Sequence, residues 1–380
     1  MRLTAFLLTL SILLTGCTAA PADVPIPSDI LAVPETTCPT AAPTEPPDPI
    51  QLLLDAMTLE EKVGQLFLAR CPAKNAPEDI SAYHLGGYIL FGQDFNDETP
   101  DSFRQKIAKY QSVSPIPLLI AVDEEGGSVC RVSNRRAFRS SRFPSPREAY
   151  ASGGMEDVLA VETEKAGLLR DLGINVNMGP VCDITTGFGA FMHARSLGES
   201  PETTAQFVRS TVQIYENHAL GSVLKHFPGY GNNADTHTGI ARDDRSLAEL
   251  EDVDLVPFAA GIKAGADAVL VTHSIIDALD SSTPASLSPA VHEYLRNTMD
   301  FDGVIVTDDL IMQAITDAYG AGEAAVLAVL AGNDLLCSTE YRIQYPAVLE
   351  AVQAGRISMA QLDESVMRIL QWKRELGLIF

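Results

Sequence analysis

The feature that most constrains the fold of this chain is a repeated alternation of short apolar runs with longer segments of helical periodicity. Segments such as Glu156–Leu172, Pro201–His218 and Leu247–Ala264 have helix length, and their apolar residues recur with helical spacing. Eight runs of strand length alternate with such segments: Leu66–Ala69, Tyr88–Phe91, Leu118–Val122, Ile174–Met178, Val223–Lys225, Ala268–Thr272, Val304–Thr307 and Asp334–Cys337. Alternation over about 330 residues favours a parallel sheet, and eight strands predict an α/β fold with a single (β/α)8 TIM-type barrel. On periodicity alone, an open doubly wound sheet remains the alternative.

Polar and ionisable residues gather at the ends of these runs. A parallel barrel collects its functional residues on the loops that follow the carboxyl ends of its strands. The residues at the exits of the third, fifth, sixth and seventh runs are Asp123 with Glu124 and Glu125, Lys225 with His226, His273, and Asp308 with Asp309. So many ionisable groups at strand exits are hard to explain by packing, and they predict a site at this end of the barrel.

Asp308 follows the seventh run directly, so a buried apolar strand delivers its carboxylate to the barrel mouth. A carboxylate held by rigid backbone can act as a nucleophile or stabilise a developing positive charge. The alternative is that Asp308 or Asp309 caps the next helix.

A Gly- and Pro-rich segment after the fifth run predicts a long loop that carries Asp235 and His237. The two residues are two positions apart, so in extended chain their side chains project to the same side. A carboxylate beside an imidazole orients it and tunes its pKa, which gives a general acid/base for neutral pH. Zinc binding by His226, Asp235 and His237 is the rival use, although no familiar zinc-ligand spacing is present.

Several motifs occur in the order found in family-3 glycoside hydrolases, which this chain resembles from about Asp55 to Leu376. The resemblance is closest to the single-barrel bacterial β-N-acetylglucosaminidases, or β-hexosaminidases, of that family. The motifs are Asp123-Glu124-Glu125-Gly126-Gly127 with Arg131, Ala194-Arg195-Ser196-Leu197-Gly198, Lys225-His226-Phe227-Pro228-Gly229, Asp235-Thr236-His237, Asp254-Leu255-Val256-Pro257-Phe258, Val306-Thr307-Asp308-Asp309 and Ala331-Gly332-Asn333-Asp334. So many ordered motifs settle the barrel fold better than periodicity does.

The resemblance implies a role for each matched residue. Asp308 would be the nucleophile that forms a covalent glycosyl-enzyme, His237 the acid/base and Asp235 its partner. The residues that would hold the sugar's hydroxyls are Asp123, Arg131, Arg195, Lys225 and His226, with Glu125 and His273 supporting them. The implied reaction is retaining, exo-acting hydrolysis of terminal β-linked N-acetylglucosamine from cell-wall or chitin-type fragments. It requires neither a metal nor an organic cofactor.

Many members of the family carry a second αβα domain that supplies a carboxylic acid/base. The length of this chain leaves no room for such a domain, so we expect residues 51–380 to form the catalytic barrel and to contain the acid/base. The sequence departs from the family pattern between Gly231 and Asp235, where it is one residue shorter, and at three further positions: Ser128, Leu197 and Tyr230.

The N-terminus predicts export and lipidation. Arg2 precedes a short apolar stretch, Leu3–Leu14, which has the length of a signal peptide and is too short to span a bilayer. The sequence Leu14-Thr15-Gly16-Cys17 resembles a bacterial lipobox, which implies a signal peptide over residues 1–16 and lipidation of Cys17. Proline-rich residues 17–50 would then form a tether between a membrane anchor and the barrel, which makes the chain an extracytoplasmic lipoprotein.

Charge and cysteine spacing narrow the remaining choices. The net charge of −23 argues against a nucleic-acid partner. Cys71, Cys130, Cys182 and Cys337 show no metal or redox spacing and are interpreted as buried free thiols. The alternatives left open are a β-glucosidase or β-xylosidase, a glycoside phosphorylase on the same fold, and a catalytically silent sugar-binding lipoprotein.

Overall fold

The fold is a barrel of eight parallel strands, and the computed structural model describes residues 48–185, 187–233 and 241–380. We number the strands β1 to β8 in chain order: Phe67–Arg70, Gly87–Leu90, Leu119–Val122, Val176–Asn177, Gly221–Phe227, Ala268–Val271, Val304–Thr307 and Leu336–Ser338. Each strand from β1 to β6 pairs with the next, and β8 pairs with β1. An isolated parallel bridge between Val306 of β7 and Leu335, the residue before β8, brings the two ends of the sheet together. The barrel prediction is therefore confirmed, and the open doubly wound sheet is wrong, because the two ends of the sheet meet.

All eight predicted runs overlap a strand, with ends that differ by at most two residues. The surrounding helices, α1 to α13 in chain order, are Pro49–Ala56, Leu59–Gln65, Ala76–Tyr83, Pro100–Val113, Pro146–Asp171, Pro201–Asn217, Leu247–Glu249, Leu255–Lys263, Pro289–Glu293, Gln313–Tyr319, Ala321–Ala331, Tyr341–Gln353 and Met359–Glu375. A π-helical turn, Leu250–Asp254, joins α7 to α8, so the predicted segment Leu247–Ala264 is almost continuously helical.

Helix α5 begins ten residues before the predicted segment Glu156–Leu172. Ser145 caps its N-terminus by accepting from the Glu148 amide, and the Glu148 carboxylate accepts from the Ser145 amide in return. Gly153 and Gly154 are not helical, and Gly154 has a φ of 69°. Sequence periodicity missed the first part of α5 because this pair breaks the pattern.

The first helix begins inside the segment that the sequence assigned to the tether. Asp48 accepts from the Ile50 amide at 3.0 Å, Pro49 occupies the first turn, and Ile50 is fully buried. The first helix of the described residues therefore starts two residues before position 51. Residues 1–47, which include Cys17 and most of the predicted tether, lie outside the described residues.

The core fills the barrel and the space between its strands and helices. Cys71, Cys130, Cys182 and Cys337 are buried free thiols, which confirms their interpretation from sequence. Burial raises the pKa of the Cys71 thiol to about 12, so this cysteine is not a ready nucleophile. In the part of the chain that the structure describes, no single helix has the length and apolar composition of a membrane span. Helices α10 and α11 meet those criteria only as a pair, which is bent by 105°.

Candidate active site

A cavity of about 480 Å³ lies at the carboxyl ends of the strands. This volume falls within the range of small-molecule sites, roughly 300–1,000 Å³. Six residues that the sequence selected line it together: Asp123, Arg131, Arg195, Lys225, His226 and Asp308. They come from the exits of β3, β5 and β7 and from the loop after β4, so distant parts of the chain meet at the mouth of the barrel.

Asp123 and Lys225 form an ion pair on the cavity wall. Lys225 Nζ lies 2.7 Å from Asp123 Oδ1, and an Arg131 nitrogen lies 3.7 Å from Oδ2. The register between β5 and β6 is irregular between Leu224 and Phe227. Neighbouring residues of a regular strand point to opposite faces, but at this irregularity Lys225 and His226 both line the cavity. The wall therefore presents paired charges that can bind a polyhydroxylated ligand.

Glu125 is buried beneath this wall and binds two cations. Its carboxylate receives two hydrogen bonds from Arg195, at 2.6 and 2.8 Å, and Lys225 Nζ lies 2.7 Å from Oε1. Burial by itself raises the pKa of Glu125, but the charges of Arg195 and Lys225 outweigh it and hold the pKa well below its usual range. Glu125 therefore remains ionised and fixes both cations at the edge of the cavity.

Asp183 determines the orientation and tautomer of His226. Asp183 Oδ2 lies 2.7 Å from His226 Nδ1 and also accepts from the His226 amide. His226 Nε2 lies 3.2 Å from an Arg195 nitrogen. A guanidinium can only donate, so Nε2 accepts and Nδ1 carries the proton that is donated to Asp183.

The zinc alternative finds no support at His226, because both ring nitrogens are engaged and a cation faces Nε2. Among residues 48–185, 187–233 and 241–380, no group of three or more His, Cys, Asp or Glu residues is arranged to hold a metal ion. Asp235 and His237, the other two residues of that alternative, lie outside the described residues.

Asp308 and Asp309 differ in environment although they are adjacent. Asp308 lines the cavity, and its Oδ1 accepts from the Asp309 amide at 2.8 Å. The Asp309 carboxylate accepts from the Thr339 amide at 3.1 Å and from the Thr339 hydroxyl, which ties the exit of β7 to that of β8. Burial raises the pKa of Asp309, and the nearby charge of Asp308 adds to this, against the hydrogen bonds that lower it. The capping alternative is wrong, because α10 begins at Gln313 with Met312 at its N-cap position.

His273 supports the same exit from below. Its Nε2 lies 3.1 Å from the Asp309 carbonyl oxygen, and its Nδ1 lies 2.7 Å from the Ser286 hydroxyl. The ring is fully buried, so it contacts the backbone of the β7 exit and does not line the cavity.

The stem that leads into the predicted acid/base loop is held by residues of the loop after β4. Asp183 Oδ1 accepts from the Tyr230 amide at 2.8 Å. The Asn232 side chain accepts from the Thr185 hydroxyl and the Gly187 amide, both at 2.9 Å. The chain that precedes Asp235 is therefore fixed as far as Asn232.

The stem that leaves the loop is held by Arg245. This guanidinium binds Asp243 at 2.6 Å and Asp254 at 2.5 Å. It also packs against Gly231 of the entering stem, where a Cβ atom would come within 2.7 Å of an Arg245 nitrogen. Burial raises the pKa of Asp254 to about 6, although Arg245 opposes this shift. Arg245 therefore joins the two stems to each other and to the helical turn that contains Asp254.

Glu124 holds the loop that carries Arg131. Its buried carboxylate accepts from the amides of Arg131 at 2.8 Å, Val132 at 2.7 Å and Ser133 at 3.1 Å. The sequence analysis placed Glu124 at a strand exit and Asp254 in a family motif but gave neither a role, and it did not select Asp183 or Arg245. Asp183 follows the fourth run, so the rule that found the other strand-exit residues could have found it.

Comparison with known proteins agrees with this geometry. The model of the family described as glycosyl hydrolase family 3 N terminal domain matches residues 58–372. The chain belongs to glycoside hydrolase family 3. It is 32% identical over 326 residues to the β-hexosaminidase LpqI of Mycobacterium tuberculosis, covering 82% of each chain. It is 34% identical over 286 residues to a β-hexosaminidase of Xanthomonas oryzae, covering 73% of this chain and 83% of that one.

Solved structures of the family superpose on most of this chain. A family-3 β-N-acetylglucosaminidase from Paenibacillus has a TM-score of 0.80 and 33% identity over 85% of this chain. The present chain spans only 63% of that longer protein. Mycobacterium tuberculosis LpqI has a TM-score of 0.77 and 30% identity, with 85% of this chain and 96% of that chain covered. This protein is therefore a glycoside hydrolase built on the family-3 barrel.

The departures from the family pattern fall into two groups in this glycoside hydrolase. Leu197 is buried in the core, whereas Ser128 and Tyr230 line the cavity. The Tyr230 ring is buried and meets the His226 ring edge-on at 5.2 Å. Tyr230 therefore packs against a residue predicted to bind the sugar.

Proposed function

We propose that the protein is a retaining exo-β-N-acetylglucosaminidase that hydrolyses terminal β-linked N-acetylglucosamine from cell-wall or chitin-type fragments. The observation that carries this proposal is that Asp308 shares one cavity with the Asp123–Lys225 ion pair, Arg131 and His226. Relatives described as β-hexosaminidases, and a solved relative described as a β-N-acetylglucosaminidase, support this choice of sugar.

Asp308 is the proposed nucleophile. The rigid strand β7 delivers its carboxylate to the cavity, and the hydrogen bond from the Asp309 amide restricts its orientation. Attack of one oxygen on the anomeric carbon forms a covalent glycosyl-Asp308 ester as the leaving sugar departs. Arg131, Lys225 and Asp123 would bind the hydroxyls of the sugar ring and so hold its anomeric carbon in place.

His237 is the proposed acid/base, with Asp235 as its partner. A protonated imidazole donates to the departing glycosidic oxygen in the first step and then, neutral, accepts a proton from the attacking water. The described stems support this role, because Asp183, Asn232 and Arg245 fix both ends of the loop that carries the pair.

We also propose that the enzyme works outside the cytoplasm as a lipoprotein. The support is the N-terminal sequence, in which the apolar stretch Leu3–Leu14 is followed by a lipobox-like Cys17 and a proline-rich segment. A hydrolase of cell-wall fragments would meet its substrate on that side of the membrane.

The proposal is tested first at Asp308. Asp308→Ala should reduce hydrolysis of an aryl N-acetyl-β-glucosaminide by at least about a thousandfold, because the nucleophile is lost. Asp317→Ala is the matched control, since Asp317 is an exposed carboxylate on the following helix. Circular dichroism should show both variants folded. Full activity of Asp308→Ala would contradict the assignment.

A panel of substrates and acceptors tests the proposed acid/base, the sugar that is hydrolysed and the choice of water as acceptor. His237→Ala should impair glycosides with poor leaving groups far more than activated aryl glycosides, because only the former need protonation. Aryl β-glucoside and β-xyloside compared with the N-acetylglucosaminide identify the sugar. Turnover in inorganic phosphate that yields sugar 1-phosphate instead of free sugar would show a phosphorylase and overturn the hydrolase proposal.

A further inference from the structure

One cationic side chain of the cavity has no role in the site described above. Arg70 is the last residue of β1, is half-buried and lines the same cavity as Asp308. Within the described part of the chain, the Arg70 side chain makes neither a hydrogen bond nor an ion pair. Arg195 and Lys225 in the same cavity are both paired with buried or half-buried carboxylates. The guanidinium of Arg70 is therefore available to a ligand.

Arg70 is nevertheless held in position. Its guanidinium carbon lies 4.4 Å from the centroid of the Phe91 ring, and that of Arg131 lies 5.5 Å from the same centroid. Stacking on an aromatic face fixes a guanidinium while its N–H groups stay free in the plane of the fork. Arg131 contributes a second unused donor, because its buried Nε has no hydrogen-bond partner among the described residues.

The nearby carboxylates, Asp94 and Asp123, do not fully neutralise the positive charges of Arg70 and Arg131. Asp94 is close enough for the charge of Arg70 to act on its pKa, which burial raises, but Asp94 does not form an ion pair with Arg70. Asp94 instead accepts from the Phe91 amide at 2.7 Å. Asp123 lies 3.7 Å from Arg131 and is shared with Lys225 at 2.7 Å. An incompletely paired cation in the cavity of a chain with a net charge of −23 is therefore a local feature that attracts anions.

We propose that Arg70, assisted by Arg131, binds a carboxylate or phosphate substituent carried by the sugar in the cavity. The inference rests on the proposed function and specifies its substrate class, which is acidic β-glycosides. Arg131 places the anion on the substrate and not on a free acceptor, because Arg131 is also next to Asp123, which is proposed to bind the hydroxyls of that sugar. A planar fork of N–H donors suits the planar or tetrahedral oxygens of such a group.

The test compares a neutral aryl N-acetyl-β-glucosaminide with three acidic forms of it, bearing a 6-phosphate, a 6-carboxylate or a 3-O-lactyl group. At least one acidic form should have a higher kcat/KM than the neutral parent with the wild-type enzyme. Arg70→Met should reduce kcat/KM for that form about 10- to 100-fold, chiefly through KM, and leave the neutral parent within about threefold. Arg70→Lys should recover part of the loss.

Arg136→Met is the matched control, since Arg136 is an exposed arginine outside the cavity. This variant should leave kcat/KM unchanged for both the acidic and the neutral substrate. Equal losses on acidic and neutral substrates, or no preference for any acidic form, would overturn the inference. An effect of Arg70→Met confined to inorganic phosphate, seen as competitive inhibition or as sugar 1-phosphate formation, would also overturn it, because the anion would then be free. Turnover of the neutral substrate that depends on Asp308 keeps the proposed function separate from each of these outcomes.

Discussion

Whether a buried side chain of this barrel is charged depends on whether an oppositely charged partner lies beside it. Glu125 is ionised in the interior because Arg195 and Lys225 lie within hydrogen-bonding distance of its oxygens. Lys373 shows the opposite case, because its buried amine has one neutral partner, the Gln65 side-chain oxygen, at 2.7 Å. Burial lowers the pKa of Lys373 to about 7. A buried charge is therefore kept where a counter-ion is supplied and lost where it is not.

Lys373 should make the stability of the protein depend on pH above neutrality. The unfolded amine has a pKa near 10.4, so between about pH 7 and pH 10 the unfolded chain binds more protons than the folded chain, and stability rises with pH. Lys373→Met removes this contribution. Between pH 7 and pH 9 the free energy of unfolding of the wild type should rise by about 2 kcal/mol relative to the variant, as measured by urea denaturation.

The matched control for this prediction is Lys109→Met, which removes an exposed lysine on α4. Its pH dependence should match that of the wild type, because an exposed amine titrates alike in the folded and unfolded chains. Parallel curves for the wild type and Lys373→Met would show that the buried amine stays protonated.

At the scale of the elements, the sequence predicted the strands and their exits well and the links between exits poorly. Apolar runs overlap all eight strands, because strands buried on both faces are mostly apolar. Asp123, Lys225 and Asp308 could be selected because parallel strands deliver their carboxyl ends to one face of the barrel. The link between Asp183 and His226 could not be predicted, because it joins residues 43 positions apart whose contact depends on how the loop after β4 packs against the end of β5.

The prediction at this scale concerns Arg245, because this residue joins the two stems of the predicted acid/base loop. Arg245→Met should lower kcat about 10- to 100-fold for glycosides with poor leaving groups and much less for activated aryl glycosides, because the acid/base loses its position while Asp308 keeps its own. Steady-state kinetics with both substrate classes measure the difference. Arg245→Lys restores the positive charge, but an ammonium group lacks the planar set of donors with which the guanidinium binds Asp243 and Asp254 together. This variant should therefore recover only part of the rate.

A purely structural role for Arg245 makes a different prediction. Loss of folded protein would reduce turnover of both substrate classes by the same factor, and a thermal melt would show it. Arg242→Met is the matched control on the same stem, because Arg242 is half-exposed and pairs with Asp277 at the surface. It should leave the kinetics and the melting temperature nearly unchanged.

At the scale of the whole molecule, the chain joins an acidic catalytic barrel to an N-terminal segment of different composition. The first described helix begins at Pro49, and the cavity of the barrel lies at the carboxyl ends of the strands. The sequence before it contains two cysteines, Cys17 and Cys38, and many prolines. Only Cys17 follows an apolar stretch in a lipobox-like setting. Substitution of Cys17, with Cys38 as the control, therefore tests the lipoprotein proposal.

Cys17→Ser should release the protein from the membrane, and Cys38→Ser should not. In a bacterial host that processes lipoproteins, the wild type and Cys38→Ser should incorporate a labelled fatty acid and partition into the detergent phase. Cys17→Ser should do neither, because a thioether-linked lipid needs the Cys17 sulfur and two buried acyl chains account for stable anchoring. Activity on a soluble aryl glycoside should be the same for all three, because the barrel that carries Asp308 starts some thirty residues later. Fatty-acid incorporation by Cys17→Ser, or none by the wild type, would contradict the anchor while leaving the assignment of the catalytic cavity intact.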